Sequence, residues 1–188
     1  MRKLHLQVQI SLDGYIAGPN GEMDWMVWNW DEELKNYVAE LTASIGCILL
    51  GRNLAQGFIP HWATVAADTA NPEYEAGKIF HETPKVIFTK TLESPIGEYS
   101  TLAKGELRKE VEALKNKDGK DLMVYGGGSF VSALIAEDLI DNYYLFVNPV
   151  ILGKGMPIFQ GLQMSQNVEV VDCFPFSCGI SLMHYRLK

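Results

Sequence analysis

The segment LMVYGGGSFVSALI joins an apolar run, Leu122 to Tyr125, to three consecutive glycines, Gly126, Gly127 and Gly128, and then to a helix-forming stretch. Glycines lack Cβ, so the backbone can turn sharply and approach a ligand closely. The free N–H groups and positive dipole end of the helix that follows favour an anion. The chemistry this pattern supports is phosphate binding. A turn needed only for close helix packing is the structural alternative. Ser129 is not a convincing nucleophile, because GGGSFV lacks the second glycine of a Gly-x-Ser-x-Gly elbow. His5, His61, His81 and His184 are scattered without ligand spacing, and no cysteine pair has zinc-site spacing, so no metal is expected.

The elements that must position this turn follow from periodicity. Alternating or short β-branched runs mark strands at Leu4 to Ser11, Cys47 to Leu50, Lys85 to Thr89 and Leu122 to Tyr125. Between them lie helical segments: Asp31 to Ser44 with Asp31 as N-cap, a short one after Gly51, Pro72 to Phe80 with Asn71 as cap, Glu106 to Lys115, and Ser129 to Ala136. This alternation predicts an α/β fold with a mainly parallel sheet covered on both faces. Asn142 to Val150, Asn167 to Phe174 and Gly179 to Leu187 read as closing strands, the last two a hairpin through Pro175 and Ser177, so the sheet should end antiparallel. Ile151 to Met164, with Gly153, Gly155, Pro157 and Gly161, reads as a long ordered loop.

Composition sets the bounds. The chain of 188 residues, 47% hydrophobic and 21% charged, fits one globular domain over residues 1–188. A net charge of −7 argues against a nucleic-acid surface, so phosphate recognition has to be local. The N-terminal alternation is that of a strand rather than a signal peptide, and no stretch is long and apolar enough to cross a membrane, which points to the cytoplasm. Cys47, Cys173 and Cys178, an odd number in apolar or strand-like segments, are expected as buried reduced thiols, although Cys173 and Cys178 could face each other across the hairpin.

Four segments in order, SLDGYIAGPNGEMDW, ILLGRNLAQGF, VIFTK and YGGGSFVSALIAEDLIDNYYLFVNPVILGKGMPIF, resemble the dihydrofolate reductase-like fold, and more narrowly the branch containing the C-terminal reductase domain of the bacterial riboflavin-biosynthesis enzyme RibD. The resemblance covers nearly the whole chain and implies a three-layer α/β/α sandwich that binds NADPH. On that resemblance Gly126, Gly127 and Gly128 hold the pyrophosphate, with Ser129 and Phe130 supplying backbone N–H groups at the helix start, and Gly51 opens a helix whose Arg52 meets the adenosine phosphate. Thr89 and Lys90 receive the 2′-phosphate, where an NAD site would carry an acid, and Ile16 and Ala17 face the nicotinamide carboxamide. Leu54 stands where the family has a threonine that bonds the phosphates.

On the substrate side the resemblance places Trp25 near the substrate and Asp31 nearest the family's catalytic carboxylate. Asp31 is also the natural N-cap of DEELKNYVAEL, and Glu33 is a neighbouring alternative. Asp13, in an Asp-Gly pair, reads first as a turn residue. Trp28 and Trp30 either offer stacking surface or anchor the loop, and His61 and Trp62 could line the pocket mouth. The resemblance implies an NADPH-dependent reductase acting on a small heterocycle, of the 5-amino-6-(5-phosphoribosylamino)uracil or dihydrofolate reductase type. The alternative is a non-catalytic NADP(H)-binding or scaffold protein; a flavin enzyme has little support. The aromatic strand YYLFV and the terminal hairpin lead us to expect a homodimer.

Overall fold

A computed structural model describes residues 1–188. Along the chain run β1 (Leu4–Ser11), β2 (Tyr15–Ala17), α1 (Glu32–Ala43), β3 (Ile45–Gly51), α2 (Arg52–Ala67), α3 (Tyr74–Glu82), β4 (Lys85–Phe88) and β5 (Ser100–Ala103). Then follow α4 (Leu107–Lys115), β6 (Asp121–Val124), α5 (Gly128–Ala136), β7 (Asn142–Asn148), β8 (Met156–Pro157), β9 (Val168–Pro175) and β10 (Ser181–Leu187). Eight strands form one sheet in the order β5-β4-β3-β6-β1-β7-β10-β9, while β2 and β8 pair separately. Pairing is parallel from β5 through β7, and β10 runs antiparallel to both β7 and β9.

The strands are positioned by what they bury. Leu4, Leu6, Val8 and Ile10 of β1 point to one face, where they meet Val111 and Leu114 of α4 and Val131, Leu134 and Ile135 of α5. On the opposite face Ile48, Leu50, Ile87 and Met123 pack against Ala55 and Ile59 of α2, and Phe146 and Leu182 pack against Leu34 of α1. The result is the expected α/β/α sandwich, with α4 and α5 on one side and α1, α2 and α3 on the other. Each fully buried Leu or Ile contributes about 1.5–3 kcal/mol, so these clusters hold the strand ends in fixed register. The carboxyl ends of β6, β3 and β4 thereby come side by side, and ligands of open α/β sheets bind outside such ends.

Several elements differ from the sequence-based expectation. The helix after Gly51 is long rather than short, 16 residues with Pro60 inside it. Gly57 and Pro60 read locally as breakers, but the burial of Ala55, Ile59 and Val65 outweighs them. Asn71 does not cap α3; its Oδ1 accepts from Glu73 N, forming a turn that delays the helix to Tyr74. The short strands β2, β5 and β8 were not anticipated, and β8 lies inside the segment read as a loop. Of the thiols expected to be buried, Cys47 is buried, but Cys178 is half-buried and Cys173 exposed, because β9 is the uncovered edge of the sheet. All three are free thiols. No helix is long and apolar enough to cross a membrane.

Candidate cofactor and substrate site

Gly126 and Gly127 adopt φ values of +120° and +89°, which L-residues rarely take, and this reversal carries the chain from the end of β6 into α5. Val131 N donates to Gly127 O, so the N–H groups of Gly128, Ser129 and Phe130 precede the first bond of the helix and are left for another acceptor. Across the turn, β3 ends at Gly51 and passes directly into α2. A Cβ on Gly51 would stand 2.9 Å from Phe130 Cβ, so only glycine lets the two helix starts approach this closely. Phe130 is fixed from its other side by Phe88, with ring centroids 5.0 Å apart.

These helix starts form one wall of a cleft of about 490 Å³. Gly51, Arg52, Thr89, Lys90, Gly127, Gly128, Ser129 and Phe130 all line it, and so does Leu54. Arg52 Nη1 donates to Thr91 Oγ1 at 3.1 Å, leaving its remaining donors free. Thr89 Oγ1 accepts from Thr91 N and Leu92 N, so this hydroxyl shapes the turn after β4 while keeping its own proton to donate. Lys90 Nζ donates to Lys104 O and Gly105 O at 2.7 and 2.6 Å, which ties β4 to the β5–α4 connection and holds the ammonium at the cleft. That connection supplies a wall the sequence did not reveal, from Ala103 through Gly105, Glu106 and Leu107. The acid in it, Glu106, is paired with Lys109 at 2.8 Å.

The end of β1 lies one strand beyond β6. Ile16 reaches the glycine turn: its Cδ1 is 3.9 Å from where a Gly128 Cβ would stand. Ala17 O crosses Gly155 so closely that no side chain fits there. Gly126, Ile16 and Ala17 therefore adjoin the cleft without lining it. Asp13 is a clasp: its carboxylate accepts from Ser11 Oγ, Leu152 N and Gly153 N, which fasten the β1–β2 turn to the glycine-rich loop, and these bonds, that from Ser11 first, hold its pKa below the usual carboxylate value. Asn148, fully buried, holds the aromatic segment, accepting from Val27 N at 2.8 Å and donating to Gln9 Oε1 at 2.6 Å. Sequence reasoning missed this anchor, because an asparagine at a strand end carries no local signal.

The structure places Asp31, the catalytic candidate, at the N-cap of α1. Its Oδ1 accepts from Leu34 N at 2.8 Å, and its Oδ2 accepts from Ser177 Oγ and Cys178 N at 2.8 and 2.9 Å. The Leu34 bond first, then that from Ser177, pulls its pKa down to about 2. A carboxylate so engaged is a charged cap that binds α1 to the β9–β10 turn, and it does not hold a proton near neutral pH. Trp25, half-buried, donates its indole N–H to Glu22 O; Trp30 does likewise to Val27 O and packs into the core, whereas Trp28 is exposed. Trp62 lies within α2 rather than after it, with its ring centroid 4.4 Å from that of Phe80. Neither Trp25 nor Trp62 lines the cleft.

Residues 2–182 match the family model of the RibD C-terminal domain. The chain belongs to that family. Among curated relatives of this RibD C-terminal domain, the uncharacterized protein YyaP of Bacillus subtilis (strain 168) is 30% identical over 187 residues, covering 98% of this chain and 95% of its own. YwjB of the same organism is 25% identical over 185 residues, covering 98% of each. A Shewanella sp. PV-4 structure, provisionally assigned to riboflavin biosynthesis, superimposes with a TM-score of 0.72 at 25% identity over 100% of this chain and 99% of that one. The Thermotoga maritima diaminohydroxyphosphoribosylaminopyrimidine deaminase/5-amino-6-(5-phosphoribosylamino)uracil reductase shares the fold, with a TM-score of 0.69 at 21% identity. This chain is covered completely in that match, which spans 57% of the Thermotoga chain.

Proposed function

We propose that this RibD C-terminal domain is an NADPH-dependent reductase acting on a small heterocycle. The observation that carries the reading is the convergence, on one cleft, of an unused helix N-terminus at Gly128–Phe130 and the cations Arg52 and Lys90, with Thr89 beside them. Backbone N–H groups suit a pyrophosphate, a guanidinium suits the adenosine phosphate, and a hydroxyl with an ammonium suits the 2′-phosphate that distinguishes NADPH from NADH. When bound, the cofactor supplies hydride from its nicotinamide ring. The protein's part is to hold and orient it. The glycine turn and Arg52 would hold the phosphates, Thr89 and Lys90 the adenosine end, and Ile16 and Ala17, at the end of β1, would face the nicotinamide. The loop clasped by Asp13 and Asn148 then shields it from water.

Leu54 and the capping role of Asp31 favour a second reading, a protein that binds NADP(H) without chemistry or serves as a scaffold. The two are separated by following NADPH consumption with a panel of ribosylaminopyrimidines, pterins and cyclic imines. Turnover with any of them supports the reductase. NADPH binding with no turnover selects the non-catalytic reading, and absence of NADPH binding removes the reductase and leaves only the scaffold.

A further inference from the structure

The residues read as facing the nicotinamide, Ile16 and Ala17, stand on the short strand β2. Its start is fastened to the end of β1, where Tyr15 N donates to Ser11 Oγ at 3.0 Å. Its only strand partner is β8, with Tyr15 opposite Pro157 and Ala17 opposite Met156. Where Ile16 and Ala17 stand is therefore decided by what holds β8.

β8 belongs to a strap, residues 151–158, with no other regular structure. One end of the strap is clasped by Asp13 through Leu152 N and Gly153 N, but Asp13 lies in the turn leading into β2, so this clasp ties the strap to β2 and not to the helices. The other end reaches the body of the fold. Ile158 is fully buried in the same core cluster as Val131, Leu134 and Ile135 of α5, and its carbonyl oxygen accepts from Ser132 Oγ at 2.9 Å. This is the one side-chain hydrogen bond that joins a helix to the strap. On the side facing β2, Gly155 lies against Ala17 O and the Tyr15 side chain, leaving no room for a Cβ.

The Ser132 hydroxyl has one proton and two carbonyls in reach. Gly128 O, at 2.7 Å, stands four residues back in α5 and receives the helical N–H of Ser132 in any case. No backbone N–H donates to Ile158 O, so the hydroxyl is what satisfies this buried carbonyl. Ser132 itself is buried, one turn beyond Gly128. A single helix thus carries the unused N–H groups of Gly128–Phe130 at its start and the anchor of the strap one turn later. Pro157 O and Ile16 Cδ1 both come to 3.9 Å from where a Gly128 Cβ would stand, so strap, β2 and glycine turn meet at one place.

We propose that Ser132, taking the reductase reading as given, is a positioning residue: through Ile158 and β8 it fixes the reach between the phosphate donors of the glycine turn and the residues facing the nicotinamide. The test is calorimetric titration of wild type, Ser132→Ala and Gly155→Ala with NADPH and with adenosine 2′,5′-bisphosphate, which has the phosphates of the adenosine end and no nicotinamide. Ser132→Ala releases Ile158 O, and Gly155→Ala pushes the strap away from Ala17 independently. Each variant should bind NADPH about tenfold more weakly, the order expected for one buried carbonyl left unpaired, and bind the bisphosphate as the wild type does. A hydroxyl that only stabilised α5 would weaken both ligands alike. That result, or unchanged NADPH affinity in Ser132→Ala, overturns the proposal alone. If Ser132→Ala does not fold, Gly155→Ala is read by the same two results. Failure of the wild type to bind NADPH overturns the reductase reading and this proposal with it.

Discussion

Alanine at Gly127 and at Gly128 should separate what the glycine turn does for folding from what it does for a ligand. Gly127 sits at φ +89° and ψ 91°, where an L-residue is strained whatever the space around it. Strain of that kind costs about 1–3 kcal/mol. For a domain of this size each kcal/mol shifts the melting temperature by about 2–4 °C, so Gly127→Ala should melt about 2–12 °C lower. Gly128, the first residue of α5, has no such constraint: a Cβ there would meet Ile16 Cδ1 and Pro157 O at 3.9 Å, an ordinary contact. Alanine is favoured over glycine in a helix by up to about 1 kcal/mol, so Gly128→Ala should melt at or slightly above the wild-type temperature. Its methyl would nevertheless project at the turn proposed to hold the pyrophosphate. NADPH affinity of Gly128→Ala should fall at least tenfold, about 1.4 kcal/mol. Differential scanning calorimetry and NADPH titration on the two variants read both effects. Wild-type NADPH affinity in Gly128→Ala would refute the reasoning, because nothing would then approach the turn closely enough to need a glycine.

Three further outcomes are expected. Leu54→Thr should tighten NADPH by about tenfold, since a hydrogen bond to a charged group is worth about 1.5–3 kcal/mol and part of that is spent on lost apolar contact; unchanged affinity in titration would move the phosphates away from the first turn of α2. Lys85 is buried and donates to His81 O and Thr83 O, and burial holds its ammonium down to about 8. The native state therefore binds fewer protons than the unfolded chain between about pH 8 and 10.5, and stability gains from this residue as pH rises through that window, by at most about 3 kcal/mol. Denaturant melts of Lys85→Met should lack that rise relative to wild type, and parallel pH curves would contradict the assignment. Asn148→Leu leaves Val27 N and Gln9 without their partner, so we expect a loss of about 1–3 kcal/mol and faster hydrogen exchange at the Val27 amide, with unaltered exchange arguing that the loop is held elsewhere.

The parts of the fold legible in the sequence are those whose signal is local. Leu4 to Ser11 alternates with period two, and β1 spans those same residues; Leu122 to Tyr125 and the glycines after it mark a strand, turn and helix at the place where they occur. What was not legible depends on partners distant in the chain. The STLA segment of β5 is too short and too polar to announce a strand, and it becomes one by pairing with β4, which places Gly105 and Glu106 across the cleft from Arg52. Asp31 carried two local readings, and the choice is made by Ser177, 146 residues away, which no spacing rule reaches. Gly57 and Pro60 concealed the length of α2 because tertiary burial outweighed their local preference, and with it the fact that Trp62 packs on Phe80.

The most direct test of the cofactor site is calorimetric titration of NADPH and, separately, NADH into the wild-type protein and Lys90→Ala. The wild type should bind NADPH at least tenfold more tightly than NADH. Loss of one charge-assisted bond, about 1.5–3 kcal/mol, should weaken NADPH about tenfold to a hundredfold in Lys90→Ala and leave NADH unchanged. Equal affinities for the two nucleotides, or no binding of either, would contradict the assignment of the cleft.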